Sequence, residues 1–283
     1  MRGTPDTSPD AITLATASSR ASLVAARGAI VTRWSSGGRE RLYLDEATLG
    51  DLAKNVRGGV PLLFPAPGKL ADGRYARGGK SGALKQHGFA RDMPWAVVET
   101  GPAHARLSLG STDATRAVFA WDFLATLDVV LSDRSLRLAL RVENTGQDTM
   151  PFGFGIHPYF LVHDKAHATI TTAATRAYDN VTRETGPYRG LDLANGETDL
   201  HLLDHGSTES TLRADGGAVT VRTSAEFGRW VVWTLPGKDF VCLEPWTAPG
   251  NALNTGEALI ELAPGGAKEL WIELSASDAD GGA

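Results

Sequence analysis

Titratable residues set among aromatics, glycines and prolines occur in three stretches of this chain. They are Lys85-Gln-His-Gly-Phe-Ala-Arg-Asp-Met-Pro-Trp95, Phe152-Gly-Phe-Gly-Ile-His-Pro-Tyr-Phe160 and Val241-Cys-Leu-Glu-Pro-Trp-Thr-Ala-Pro-Gly-Asn-Ala-Leu-Asn254. His157 follows an apolar run, where an unpaired charge is costly. Pro158 removes a backbone donor and holds His157 to extended geometry. Glu244 closes an apolar stretch and is followed by Pro245 in the same way. Glutamate is seldom fully buried unless paired. His87 precedes Gly88 and lies near Arg91 and Asp92. Singly, each has a plain structural reading: a hydrogen-bonded core histidine, a salt-bridged glutamate, a histidine capping a turn. Together they share a composition that suits a sugar pocket, in which aromatic faces pack on C–H surfaces and a few polar groups hold hydroxyls.

Other chemistries fit these residues less well. A standard glycosidase needs two placed carboxylates, and only Glu244 has a site-like setting. His157, His163 and His167 suggest a metal site, but His163-Asp-Lys-Ala-His167 is polar and reads as a solvated loop or strand end. The close His-x-His pair of a cupin-like metal site is absent. Neither a Gly-x-Ser-x-Gly elbow nor a Walker loop occurs. Cys242 lies one strand period from Glu244, so both are expected on one side, with the thiol buried and structural. No metal and no organic cofactor is expected.

The elements that must position these residues are mostly strands. Leu136, Leu138, Leu140 and Val142 alternate with Arg137, Arg141 and Glu143 before Asn144-Thr-Gly146. Phe123, Ala125, Leu127, Val129 and Leu131 repeat the pattern, as do Leu270, Ile272 and Leu274. Arg229–Leu235 and Phe240–Glu244 flank Pro236-Gly-Lys-Asp239, a turn signal. Only Asp45–Val56 suggests a short helix. Many short strands with turn punctuation predict an all-β fold, a large antiparallel β-sandwich. A ligand cleft would then lie on a sheet face, lined by alternate strand residues.

The chain has 283 residues, of which 42% are hydrophobic, and a net charge of −5. All-β domains often reach this size as one unit, so residues 11–275 are expected to form a single domain, with 1–10 and 276–283 as flexible ends. Mild acidity gives no broad attraction to phosphate backbones, so nucleic acid is not an expected partner. One cysteine permits no internal disulfide. The first twenty residues lack the apolar core of a signal peptide, and no apolar run reaches the ~18 residues of a membrane span. A cytoplasmic monomer or homodimer is expected, and the sequon Asn180-Val-Thr182 is read as chance.

Four motifs in order add a resemblance: Gly58-Gly-Val-Pro-Leu-Leu-Phe-Pro65, His87-Gly-Phe-Ala-Arg-Asp92, His157-Pro-Tyr-Phe160, and Glu244-Pro-Trp246 with Asn251-Ala-Leu-Asn-Thr-Gly256. From about Gly28 to Leu274 the chain resembles the aldose 1-epimerase (galactose mutarotase-like) family, in a bacterial branch outside the best-studied galactose mutarotases. The resemblance implies that fold and the interconversion of the α and β anomers of a free hexose. It implies Glu244 as general base, His157 as general acid and His87 on the ring oxygen or a nearby hydroxyl. Arg91 and Trp246 are candidates for sugar binding. Asp204, in Leu203-Asp-His205, is the match for an aspartate that binds hydroxyls. Lys69 or Arg74, in Pro67-Gly-Lys-Leu-Ala-Asp-Gly-Arg74, takes the place of a family arginine. The rival readings are a hexose-6-phosphate 1-epimerase, with Arg57 and Arg91 on the phosphate, and a non-catalytic sugar sensor on the same fold.

Overall fold

Residues 11–278 are described in a computed structural model of the chain. Apolar alternation sets the register of its longest strands. Phe123–Leu131 pairs antiparallel with Ser135–Asn144, so that Leu127 faces Leu140 and Val129 faces Leu138. Ser135–Asn144 pairs in turn with Ala267–Asp278, bringing Leu138 opposite Ile272. These apolar partners are buried, while Asp128, Arg137, Arg141 and Glu273 between them stay at least partly exposed. A slip of one residue would turn every leucine into water, at about 1.5–3 kcal/mol for each side chain.

The three strands are the centre of an eight-stranded sheet. On one side lie Gly217–Thr223, Glu209–Ala214 and Thr169–Thr171; on the other, His104–Gly110 and Ala96–Gly101. A second eight-stranded sheet runs Glu184–Pro187, Arg176–Asp179, Thr198–Leu202, Arg229–Thr234, Phe240–Trp246, Gly155–Ile156 and Leu62–Leu63, with Tyr159–Leu161 also paired to Phe240–Trp246. All strand ladders among the described residues are antiparallel. One continuous core joins the sheets, taking Leu127, Leu138 and Ile272 from the first and Leu62, Ile156, Val232 and Leu243 from the second. This is the large antiparallel β-sandwich that the strand pattern predicts.

In the second sheet, alternation separates a core face from a cleft face. Val232 pairs with Leu243 toward the core, and the next pair, Val231 with Glu244, turns toward the cleft. The turn over residues 236–239 connects these two strands as expected. Of the Asp45–Val56 stretch only Glu46–Gly50 is helical, capped by the Asp45 carboxylate on the Ala47 N–H. Ala276–Asp278, expected in a flexible end, instead extends the last strand against Gly217–Val219. Backbone pairing to the partner strand outweighs the small, polar composition there. The ends expected at 1–10 and beyond 278 lie outside the described residues. No described helix is long and apolar enough to cross a membrane.

Candidate active site

Four strands bring one row of side chains across the cleft face. Tyr178 stands opposite His201, His201 opposite Val231, and Val231 opposite Glu244. All four line a cleft of about 860 Å³. The parallel row contains Asp199 and Trp233, with Cys242 and Tyr159 completing it in the sheet. Period two along each strand is therefore what selects the lining.

Glu244 is 1% exposed. Its Oε1 lies 3.3 Å from His157 Nε2, and its Oε2 accepts a hydrogen bond of 3.1 Å from Trp246 Nε1, two residues along the same face. The His157 ring stacks on Tyr159, with centroids 4.7 Å apart and planes at 15°, and meets Trp233 edge-on at 5.4 Å. These aromatics hold the imidazole in the one orientation that points Nε2 at the carboxylate.

His87 is fixed by backbone rather than by rings alone. Its N–H donates to the Gly68 carbonyl at 2.8 Å, and the Gly68 N–H donates back to His87 Nδ1 at 3.0 Å. A neutral ring with Nδ1 as acceptor carries its hydrogen on Nε2. That hydrogen faces the Gln86 side-chain amide, 3.1 Å away, which must present its oxygen there. The next residue, Gly88, has φ +74°, and a Cβ on it would lie 2.2 Å from the Phe64 carbonyl oxygen. Only glycine allows this approach, which carries His87 into the cleft. Its ring centroid is 5.8 Å from that of His157 and 5.5 Å from that of Trp246.

Burial governs the electrostatics. Desolvation, with Asp199 nearby, pushes the Glu244 carboxyl well above its usual range. Desolvation also lowers His157 to about 3, with Arg91 adding to the effect. Both shifts favour the neutral partners, a carboxylic acid beside a neutral imidazole. His87 is held well below its usual value by burial and by His157, and His201 falls to about 4 through burial. Tyr159, buried beside Cys242 and Glu244, stays a neutral phenol. Burial thus leaves the histidines of the cleft without a standing charge.

Glu244, His157, His87, Arg91, Lys69 and Trp246 all line this cleft, as does Arg57. Between the two candidates for the arginine position, the cleft contains Lys69; Arg74 starts an exposed hairpin, Arg74–Arg77 with Lys80–Ala83, and its carbonyl accepts from Asn254. Asp204 is also outside. Its carboxylate accepts from the Thr175 and Arg176 backbone N–H groups and from the Thr175 hydroxyl, and these bonds lower its pKa to about 2. It sits beyond the end of Thr198–Leu202, so its neighbourhood in sequence does not bring it to the face. The acidic residues on the cleft are Glu197 and Asp199 as well as Glu244. Sequence reading missed Asp199, His201, Tyr178 and Arg229. The available signal was alternation, Arg229-x-Val231-x-Trp233 on the strand next to the one that bears Glu244, and Asp199-x-His201 on the strand beyond it. Arg91 makes no ion pair with Asp92 or Glu244; it donates to the Gln86 carbonyl at 2.8 Å. Arg57 packs over Trp233, 5.3 Å from the ring centre.

This geometry has counterparts among known proteins. The family model described as aldose 1-epimerase matches residues 10–275. The Slr1438 protein of Synechocystis sp. PCC 6803 is 36% identical, with a TM-score of 0.92 over 98% of this chain and 99% of its own. A galactose mutarotase-like protein from Lactobacillus casei ATCC 334 is 21% identical, with a TM-score of 0.79 over 94% of this chain and 100% of its own; it shares the fold. A protein of Cenchrus ciliaris named "Putative glucose-6-phosphate 1-epimerase" is 30% identical over 168 residues, which are 54% of this chain and 48% of that protein. The chain spans about half the length of the curated relatives it matches. A family match over nearly all its length, on a sandwich whose cleft gathers the histidines and glutamate of the four motifs, shows that the chain belongs to the aldose 1-epimerase family.

Proposed function

We propose that residues 11–275 act as a single-domain mutarotase on a free hexose. The observation that supports this best is the 3.3 Å contact between His157 Nε2 and Glu244 Oε1 on the floor of the cleft. Mutarotation requires a base for the C1 hydroxyl proton and an acid for the ring oxygen. Glu244 takes the hydroxyl proton while His157 protonates the ring oxygen, and the ring opens to the aldehyde. Rotation about the C1–C2 bond exposes the other carbonyl face, and closure runs with the roles reversed. The resting acid–imidazole pair first passes its proton from Glu244 to His157 across their contact. Ring opening then consumes that carboxylate and imidazolium and returns the carboxylic acid and neutral imidazole. That is the pair favoured by burial, so the open-chain complex gains from desolvation what the ion pair loses. A sugar oxygen replaces the Gln86 amide as acceptor of the His87 Nε2 hydrogen, and Trp246 offers an apolar face. No cofactor takes part in these steps.

A second reading, a hexose 6-phosphate as substrate, is supported by Arg57 and Arg91 lining the same cleft and by the name of the Cenchrus relative. Anomer exchange by NMR across free and phosphorylated aldoses tests both. Exchange on free hexoses, affected equally by Arg57→Ala for free and phosphorylated forms, supports the first reading. Exchange confined to sugar phosphates, with Arg57→Ala or Arg91→Ala harming them selectively, overturns it in favour of the second.

A further inference from the structure

Behind the His157–Glu244 contact lies a third potential ligand. Cys242 is buried on the same strand face as Glu244, two residues before it. Its sulfur, a ring nitrogen of His157 and a carboxylate oxygen of Glu244 all lie within 4.8 Å of one another. We propose that this trio is a binding site for a thiophilic divalent cation of the zinc class, and that such a cation inhibits the enzyme by occupying its proton-transfer pair.

Three features support the assignment. Thiolate, imidazole and carboxylate together are a donor set that suits zinc, and three protein ligands leave a fourth position open. That position faces the cleft, since His157 and Glu244 both line it, which also provides the entry path. The spacing agrees with tetrahedral coordination. Metal–nitrogen and metal–oxygen bonds of about 2.1 Å at the tetrahedral angle separate the two donors by about 3.4 Å, against the 3.3 Å found between His157 Nε2 and Glu244 Oε1. Bringing the sulfur to bonding distance requires a movement of about 1 Å from the 4.8 Å limit of the cluster. Binding releases the thiol proton and the proton held by the histidine–glutamate pair to solvent, and the cation takes their place. Glu244 can then no longer accept a proton from C1, nor can His157 deliver one to the ring oxygen. Sugar chemistry itself has no use for Cys242, so its thiol separates metal binding from turnover.

The test uses the full chain in two measurements. Zinc chloride titrated into an anomer-exchange assay should inhibit, reversibly on adding a chelator and less effectively at saturating sugar. Cys242→Ser and Cys242→Ala should exchange anomers normally without zinc and require at least about tenfold more zinc for half-inhibition, a scale reached even by outer partners of bound metals. Cobalt(II) titration reports independently of activity. The chain contains one cysteine, so a sulfur-to-cobalt charge-transfer band in the near ultraviolet can arise only at Cys242 and should vanish in Cys242→Ala. Native protein without that band, or variants as sensitive to zinc as the native enzyme, would overturn the proposal. Because the band needs no substrate, its presence in a protein inactive on every aldose tested would leave the metal site standing and sink the mutarotase reading alone.

Discussion

Glu244 illustrates how one residue separates structure from chemistry. Its carboxyl is buried and its pKa is raised by that burial, so ionising it opposes folding. Glu244→Gln removes this opposition, and the amide oxygen can still accept from Trp246. The variant should melt no lower than the native protein, yet lose about 10²–10⁴ in turnover, the usual scale of a general base. Anomer exchange and thermal unfolding on the same sample check this; full turnover would sink the role proposed for Glu244. Asp204→Ala provides the contrast, because Asp204 caps backbone outside the cleft. It should lower the melting temperature and leave KM for sugar unchanged. Both residues are acidic and near strands, but only Glu244 has a distinctive setting in the sequence. Glu244 follows an apolar run and precedes a proline, a setting that points to burial. Asp199 and His201, in Thr-Asp-Leu-His-Leu, look like any alternating strand, and their place on the same cleft as Glu244, one strand removed from it, depends on pairing that local pattern does not encode.

Segments matter as much as the side chains on them. The turn that holds His87 depends on the approach of Gly88 to the Phe64 carbonyl and on the exchange of hydrogen bonds between His87 and Gly68. Gly88→Ala places a methyl carbon 2.2 Å from that oxygen at a φ of +74°, so the segment must shift. Backbone strain of this kind costs about 1–3 kcal/mol, and displacement of His87 should cut turnover as well. Gly78→Ala is the control. It also has positive φ, +56°, but its added carbon meets nothing within 4 Å, so it should lower stability through strain and leave turnover intact. Urea unfolding with anomer exchange on both variants is the check; equal turnover losses would show that the approach of Gly88 does not place His87.

Across the whole molecule, buried histidines link stability to pH. His157 and His201 have folded pKa values of about 3 and 4, below the ~6.5 of an unfolded chain. Their contribution is fully present above about pH 6.5 and is lost as pH falls toward those folded values, because the unfolded chain takes up protons first. The slope is about 1.4 kcal/mol per pH unit for each histidine. Glu244, with a raised pKa, acts in the opposite sense, its contribution being lost as pH rises through the folded value. Unfolding free energies measured between pH 6.5 and 4.5 should therefore fall with acidification, and His201→Gln should reduce the slope by about 1.4 kcal/mol per pH unit. An unchanged slope in that variant would show that His201 titrates normally in the folded protein.

Period-two alternation was enough to establish a β-sandwich and the core face of its longest strands, because a leucine on the wrong face costs too much to tolerate. Proline- and glycine-flanked titratable residues were enough to single out His87, His157 and Glu244, and the motifs around them carried the family. Assembly was another matter. The cleft depends on Arg176–Asp179, Thr198–Leu202, Arg229–Thr234 and Phe240–Trp246 lying side by side, and strand order is a property of long-range pairing rather than of any local run. That order puts Asp199 and His201 on the cleft, leaves Asp204 beyond a strand end, and sets Cys242 opposite Trp233 in the row next to Glu244. Local sequence decides what a strand buries; only tertiary structure decides which strands become neighbours, and hence which side chains share a site.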